Sequence, residues 1–503
     1  MNRIQTNQCK INMNDELQIL ANAIAVGSET TSEAIGEAMK GLFGSRFHKR
    51  SASHLDHERP PFIRNAYGRN GAESEHVAYA GFINPDNPPS GPYGGTSLVW
   101  FPRPEGCLID FGIGTRGLSP DEGILTRPGH RRRIESLRKH LVSIGVTAWA
   151  RQDPATMGMP VPKVVTNALP AWKPIFDRYG NELYCLAEVP KNNPELAKRV
   201  VQAFVDLYAY ERGWEVLKAA EDEYQSFIAR LHGAWLATPQ KAEITRLLKS
   251  RRFVVLEGPP GTGKSRIAKQ ILTEAFADNG VITQFHPSTT YEDFVAGLSP
   301  DVANAALRFQ ARAGHLMEAA KKAGNNDALL VIDEINRADL GRVLGEAIYL
   351  FEAGHNEEAR VVRLPHAIDG VHEFGLPSNL FVLATMNTAD RSVARMDLAI
   401  RRRFAFITMM PDREVVKSTS TEMGLKLFDA LCDVFLEFAP DDALALMPGH
   451  SYFIASDDAV LRDRLRYELL PLVDEYLREG YLGPASGALH AVRNLIADST
   501  AGS

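Results

Sequence analysis

Lys264 and Ser265 stand at the end of Gly258-Pro259-Pro260-Gly261-Thr262-Gly263, and these types at this spacing hold a triphosphate. In the pattern G-x-x-x-x-G-K-[ST] the glycines let backbone N–H groups turn inward around phosphate oxygens. The lysine sets a point charge against the β/γ-phosphates, and the hydroxyl reaches Mg²⁺. Downstream, the apolar run from Ala328 ends in Asp333-Glu334. Asp333 is expected to hold Mg²⁺ through water, and Glu334 to point at the attacking water as general base. The bland alternative is two solvated acids ending a strand, which a phosphate loop one βαβ unit upstream argues against. Asn387, closing the run Leu380–Met386, suits water positioning at the γ-phosphate. Arg401-Arg402-Arg403 gather three guanidinium groups before Phe404. Their specific reading is an arginine finger donated across a subunit interface, which requires a ring.

These residues need a scaffold that brings strand ends together. Phe253–Leu256 reads as a strand leading into the loop, and Arg266–Phe276 as a helix aiming its positive end at the same anion. Continuous apolar runs such as Ala328–Ile332 suit strands buried on both faces of a parallel sheet, whose carboxyl ends carry the chemistry. The fold class expected is α/β: a P-loop module with a parallel sheet and a small helical lid, preceded by a separate small α+β domain. The boundaries expected are 1–189 for the N-terminal domain, 190–245 for a helical connector, 246–411 for the large α/β domain and 412–503 for the lid.

With those residues in view, positions from about 250 to 480 resemble the AAA+ module of the McrB family, the motor subunit of McrBC-type modification-dependent restriction systems. The resemblance rests on Gly258–Ser265, Gln284-Phe285-His286-Pro287, Tyr291-Glu292-Asp293-Phe294 and Asp333-Glu334-Ile335-Asn336-Arg337-Ala338. It continues through Gly345-Glu346, the specific string Met386–Ser392, Arg401–Phe404, Gly449-His450-Ser451-Tyr452-Phe453 and Leu470-Pro471-Leu472 with Glu475-Tyr476. It implies phosphate and magnesium roles for Lys264 and Ser265, Walker B roles for Asp333 and Glu334, and a first sensor at Asn387. Within the Met386–Ser392 string, Asp390 and Arg391 are assigned to the nucleotide. Arg403 matches the finger, with Arg402 second. The resemblance further implies GTP or ATP with Mg²⁺ as cofactors, a homo-oligomeric ring, usually a hexamer, DNA in the pore, and a separate McrC-like nuclease. Leu307–Ala320 resembles the hairpin-and-helix insertion that lines the pore. GTP is favoured by the resemblance alone, because Asn387–Asp390 lacks the lysine of the guanine-reading Asn-Lys-x-Asp pattern. The leading alternative is a MoxR-like, ATP-driven remodeller of proteins.

Global properties constrain this without deciding it. The 503 residues carry a net charge of −6. Up to residue 240 there are 27 basic and 26 acidic residues, leaving 29 and 36 beyond, so the motor half holds the negative excess. Contact with nucleic acid must come from local patches or the pore. Cys9, Cys107, Cys185 and Cys432 form no Cys-x-x-Cys pair, which argues against zinc and disulfides and fits a reducing cytoplasm. No apolar run approaches the ~20 residues that span a bilayer, and the polar N-terminus lacks a secretory core, so no membrane partner is expected.

The first half is less legible. Residues 1–12 read as disordered, Asp15–Leu42 as helical, and Arg46–Ser74 as a polar loop. Strands are expected at His76–Ile83, Thr96–Phe101, Cys107–Gly112 and Val146–Arg151, with a helix at Arg131–Ser143 and further helices at Leu196–Tyr208 and Glu215–Leu236. Gly112-x-Gly114-x-x-Gly117 spells a dinucleotide fingerprint, yet no helix opens directly after it, which argues against a cofactor site there. Arg116, Arg127, Arg131, Arg132, Arg133, Arg138, Lys139 and Arg151 form either a solvated face or a phosphate-tracking surface. Trp100 and Trp149 read as core, or as a wall for an extruded base. Trp214 and Trp235 read as anchors of the connector.

Overall fold

The computed structural model describes short stretches between residues 17 and 48, most of 77–103, and 106–501 apart from 237, 301–308, 353–359 and 390–395. The chain divides into two compact units. One holds the described residues up to Trp235 with Leu436–Phe438, and the other those of Leu236–Phe435 and Ala439–Ser503.

The first unit is built on an antiparallel sheet of β1 (Ala80–Phe82), β2 (Thr96–Arg103), β3 (Gly106–Ile113), β4 (Ala148–Ala150) and β5 (Leu183–Val189), in the order β1-β2-β3-β5-β4. Alternation along β2 and β3 sends residues to opposite faces. Leu98, Trp100, Ile109 and Phe111 join one core with α1 (Pro128–Ser143), α2 (Pro194–Glu211) and α3 (Lys218–Gly233). Phe111 meets Phe204 with ring centroids 5.0 Å apart, and Phe82 stacks on Tyr208 at 6.0 Å. On the other face Phe101, Leu108 and Leu186 pack with Trp172 and Ile175.

Several expectations shift. The strand expected at Val146–Arg151 is the short edge strand β4, and β5, an apolar run not identified from the sequence, lies inside the sheet between β3 and β4. The helices α2 and α3, expected as a connector, fall in the first unit because Phe204, Tyr208, Phe227 and Ile228 complete its core. Trp100 is fully buried and Trp214 packs against the same core. Leu17, Leu20, Ile24 and Leu42 are buried as the helical stripe requires. Ile35, Met39 and nearly all of the expected loop 46–74 lie outside the described residues, although Arg46 itself is buried and bidentate on Asp206, at 2.9 and 2.7 Å.

The second unit holds a sheet of β6 (Phe253–Gly258), β7 (Gly280–Gln284), β8 (Ala328–Asp333), β9 (Leu380–Asn387) and β10 (Ala405–Thr408), ordered β10-β6-β9-β8-β7 with every neighbouring pair parallel. Its central strands are buried throughout, as helices on both faces demand. The flanking helices include α4 (Lys241–Arg251), α5 (Lys264–Phe276) and α6 (His315–Ala323). Ala296–Pro300 and Phe309–Ala313 pair as an antiparallel hairpin directly before α6; of the two strands, only Phe309–Ala313 falls in the segment Leu307–Ala320 where the resemblance places a pore insertion. Phe309 is 59% exposed on it. The remaining helices, chiefly α7 (Glu422–Phe438), α8 (Leu470–Arg478) and α9 (Ser486–Ala501), make the lid.

Candidate nucleotide site

Register alone assembles most of the site. Parallel pairing sets Asn387 at the end of β9 beside Gly258 at the end of β6, and Asp333 at the end of β8 beside Gln284. Gly258, Gly261 and Gly263 have φ of 154°, 78° and 78°, backbone that a side chain would strain. The loop then turns directly into α5, with Gly263 at its N-cap. Thr262 Oγ1 donates to the Pro259 carbonyl at 3.0 Å and ties the loop to itself.

Lys264 lies 95% buried and folds back onto its own loop, donating to the carbonyls of Gly258 at 2.9 Å and Pro259 at 2.6 Å. Burial pushes its ammonium down to about 8, against the opposite pull of Asp333 and Glu334. A phosphate arriving there replaces neutral carbonyls with an anion.

Ser265 Oγ donates to Asp333 Oδ1 at 2.6 Å. A hydroxyl and a carboxylate meeting at a strand end are the oxygen donors that Mg²⁺ takes, so these residues fit the ion. Thr385, buried in β9, joins the two acids: its hydroxyl donates to Asp333 Oδ1 at 2.5 Å and accepts the Glu334 N–H at 3.0 Å. Glu334 sits in the left-handed region at φ 54°, uncommon for a residue with a side chain. Its carboxylate accepts from Asn387 Nδ2 at 3.2 Å and Gln284 Nε2 at 3.2 Å, and pairs with Arg337 Nε at 2.6 Å. Strain held by so many contacts is characteristic of working sites. Asn387 thus reaches the general-base candidate itself, and its carbonyl accepts from Asn336 Nδ2.

The lid closes on the loop through backbone. Gly449 N–H donates to the Pro260 carbonyl and Ser451 N–H to the Gly261 carbonyl, each at 3.1 Å. Between them His450 is buried, its Nδ1 accepting the Asp412 N–H at 3.1 Å, and its Nε2 faces Gly263. Burial lowers the imidazole's pKa, with Asp412 opposing and Arg266 assisting. Gln284, Arg337 and His450 stand in strings that carry the resemblance but are given no chemical role there, and Thr385 is not singled out at all. A threonine inside an otherwise apolar strand was the available signal for Thr385.

The arginines separate. Arg401 reaches Glu257 at 3.4 Å, Arg402 is exposed, and Arg403 is partly buried, donating to the Ala399 carbonyl. Asp390 and Arg391 lie outside the described residues. In the first unit the basic group is not a continuous surface. Arg132, Arg133 and Arg151 are buried, because Arg133 pairs with Glu211 at 2.7 Å and Arg151 donates to the carbonyls of Leu183, Thr156, Met159 and Gly180. Arg138 pairs with Glu135. Burial raises the Glu211 carboxyl, yet His130 and Arg133 outweigh it and hold Glu211 down to about 2. Trp149 is half-buried under Arg151, and Trp235 donates to Arg132 O and Ser136 Oγ. Among the described residues no cluster of His, Cys, Asp and Glu could hold a metal by itself, and no helix is long and apolar enough to cross a membrane.

Comparison with known proteins agrees with this geometry. Residues 253–404 match the AAA domain of the dynein-related subfamily. The chain is 31% identical over 258 residues to the type IV methyl-directed restriction enzyme EcoKMcrB subunit of Escherichia coli K12, covering 46% of this chain and 55% of that one. It is 28% identical over 206 residues to the type II restriction enzyme BsuMI component YdiS of Bacillus subtilis 168, covering 34% and 60%. An uncharacterized Escherichia coli protein, YehL, is 28% identical over 186 residues, covering 35% and 48%. The chain therefore spans about half the length of the curated relatives it matches. With its phosphate loop, paired acids and strand-end asparagine joined in one site, the chain carries an AAA-type NTPase domain similar to that of the EcoKMcrB subunit.

Proposed function

We propose that this chain is the ring-forming motor of a restriction system, hydrolysing GTP or ATP to move DNA for a separate McrC-like nuclease. The observation that carries the proposal is the Glu334 carboxylate, held by Asn387, Gln284 and Arg337 beside the Ser265–Asp333 pair. Lys264 binds the β/γ-phosphates, the loop N–H groups orient them, and Glu334 takes the proton of the attacking water while Asn387 aligns it. Mg²⁺, held by Ser265 and Asp333, supplies charge neutralisation on the phosphate oxygens. Arg403, with Arg402 second, acts in the neighbouring subunit's site, which ties hydrolysis to assembly into a ring of about six subunits. Asp390 and Arg391 complete the nucleotide contacts. The restriction roles named for EcoKMcrB and BsuMI YdiS support DNA as the polymer handled.

Steady-state hydrolysis of each NTP, with and without DNA and the adjacent-gene protein, tests this reading. The expected result is turnover raised by DNA or by the nuclease partner, with GTP preferred. Stimulation only by a folded protein client would transfer the chain to the protein-remodelling class.

A further inference from the structure

The Gly112-x-Gly114-x-x-Gly117 string takes no part in the nucleotide site, and its glycines have another explanation. A Cβ on Gly114 would lie 2.1 Å from the Tyr93 carbonyl oxygen, because the loop is strapped down by Gly114 N–H to Gly95 O at 3.2 Å and Arg116 N–H to Tyr93 O at 2.9 Å. The strapped loop borders a cavity of about 480 Å³ in the first unit. Ser97, Val99 and Phe101 of β2 and Asp110 and Gly112 of β3 share the sheet face that lines it, with Ser97 opposite Gly112 and Val99 opposite Asp110. Tyr79, Phe101 and Tyr179 form one ring cluster at its edge, with centroids 6.2 Å apart for Tyr79–Tyr179 and 5.4 Å for Phe101–Tyr179. Neither Trp100 nor Trp149 lines it.

The floor carries the signal. Asp110 is 1% exposed, and its Oδ1 accepts the Tyr184 N–H at 3.2 Å. Its Oδ2 has no hydrogen-bond partner among the described residues, and neither has the buried Oε2 of Glu182 beside the same cavity. Buried carboxyl oxygens without donors carry a standing cost that a ligand's N–H groups remove. Burial pushes the Asp110 carboxyl well above its usual range, opposed by the N–H groups of Tyr184 and Cys185 and by Arg151. Two buried carboxyl oxygens without partners favour a ligand that presents N–H groups to them. Aromatic rings that meet edge-on and tilted, together with bare glycine backbone, favour an aromatic ligand over an aliphatic amine. Arg178, exposed at the border, suits a phosphate tethered to that ligand.

We propose that this cavity binds a planar, nucleobase-sized heterocycle with an exocyclic amino group, its N–H groups meeting Asp110 Oδ2 and Glu182 Oε2 and its face lying on the Tyr79–Phe101–Tyr179 cluster. The heterocycle is either a free nucleoside or a base projecting from DNA. The site does not depend on what the motor moves, and basal NTP hydrolysis, measured in the same samples, reports the motor separately.

Titration calorimetry of the full chain tests the site with cytidine, adenosine, uridine, putrescine, and a DNA duplex holding one unpaired cytosine. Cytidine or adenosine, free or in the duplex, is expected to bind at least about tenfold more tightly than uridine or putrescine, the margin of one hydrogen bond to a carboxyl group. Binding of the free nucleosides assigns a small-molecule ligand, and binding of the duplex alone assigns a DNA base. Asp110→Asn should weaken binding by about tenfold or more. Val99→Phe, which fills the cavity from a partly exposed position, should abolish it while leaving basal NTP hydrolysis unchanged. Absence of binding by every probe, equal binding of uridine or putrescine, or wild-type affinity in Val99→Phe would overturn the assignment.

Discussion

Gly449→Ala should uncouple the lid from the phosphate loop. A Cβ at Gly449 would lie 2.1 Å from the Gly261 carbonyl carbon, 2.3 Å from its oxygen and 2.5 Å from the Pro260 oxygen. All three are backbone atoms of the phosphate loop, so no side-chain rotation relieves the overlap. Ordinary contact begins near 3.4 Å, and the shortfall of 3.4 − 2.1 = 1.3 Å must be met by moving the lid or the loop. Movement on that scale disrupts the Gly449–Pro260 and Ser451–Gly261 hydrogen bonds. A misplacement of about 1 Å at a reacting centre costs roughly 10²-fold in rate. The assay is kcat for NTP hydrolysis alongside nucleotide affinity. The matched control is Gly487→Ala in the first turn of α9, where nothing lies within 4 Å and alanine should leave hydrolysis unchanged. Wild-type kcat in Gly449→Ala, with the control also normal, would refute the reasoning.

Three further outcomes follow. Glu334→Gln should bind nucleotide with near wild-type affinity while hydrolysis falls by about 10²–10⁴-fold, the usual worth of a general base; rapid quench of single turnovers checks this. Lys264 is held down to about 8 when the site is free, and a bound triphosphate favours its charged form. Nucleotide affinity should therefore be flat below pH 8 and fall by up to about tenfold per pH unit above it, with proton uptake on binding. Lys264→Ala should bind weakly at every pH and lose that slope, as titration calorimetry in two buffers would register. Arg403→Ala, with Arg402→Ala compared, should lose turnover by about 10³-fold or more while retaining binding, and mixing it with Lys264→Ala should restore part of the activity through complementary interfaces.

How far the sequence could be read follows the distance over which each feature is encoded. The phosphate loop, Asp333-Glu334 and Asn387 lie at the ends of apolar runs, and because strands pair in register their ends become neighbours. Three local signals thus predict one composite site. The contacts that hold Glu334 are non-local: Gln284 comes from β7 and Asn387 from β9, and the left-handed backbone at Glu334 leaves no mark in residue type. His450 is visible in the sequence as part of a string, but its seat against Gly263 depends on lid closure. In the first unit the arginines of α1 look solvent-bound by charge alone. Arg133 is buried because Glu211, 78 residues onward, is brought beside it by α2. β5 escapes the sequence reading because Leu-Tyr-Cys-Leu-Ala-Glu-Val is buried on both faces and shows no alternation, although Gly180-Asn181 and Asn192-Asn193-Pro194 bracket it.

The hydroxyl of Thr385 touches both acids, and its neighbours in β9 are Ala384 and Met386. A slip of β9 by a single residue would bring alanine or methionine to that spot, removing the donor to the Asp333 carboxylate and the acceptor for the Glu334 N–H together. One hydroxyl thereby makes the register of a buried strand and the seating of two neighbouring acids a single condition.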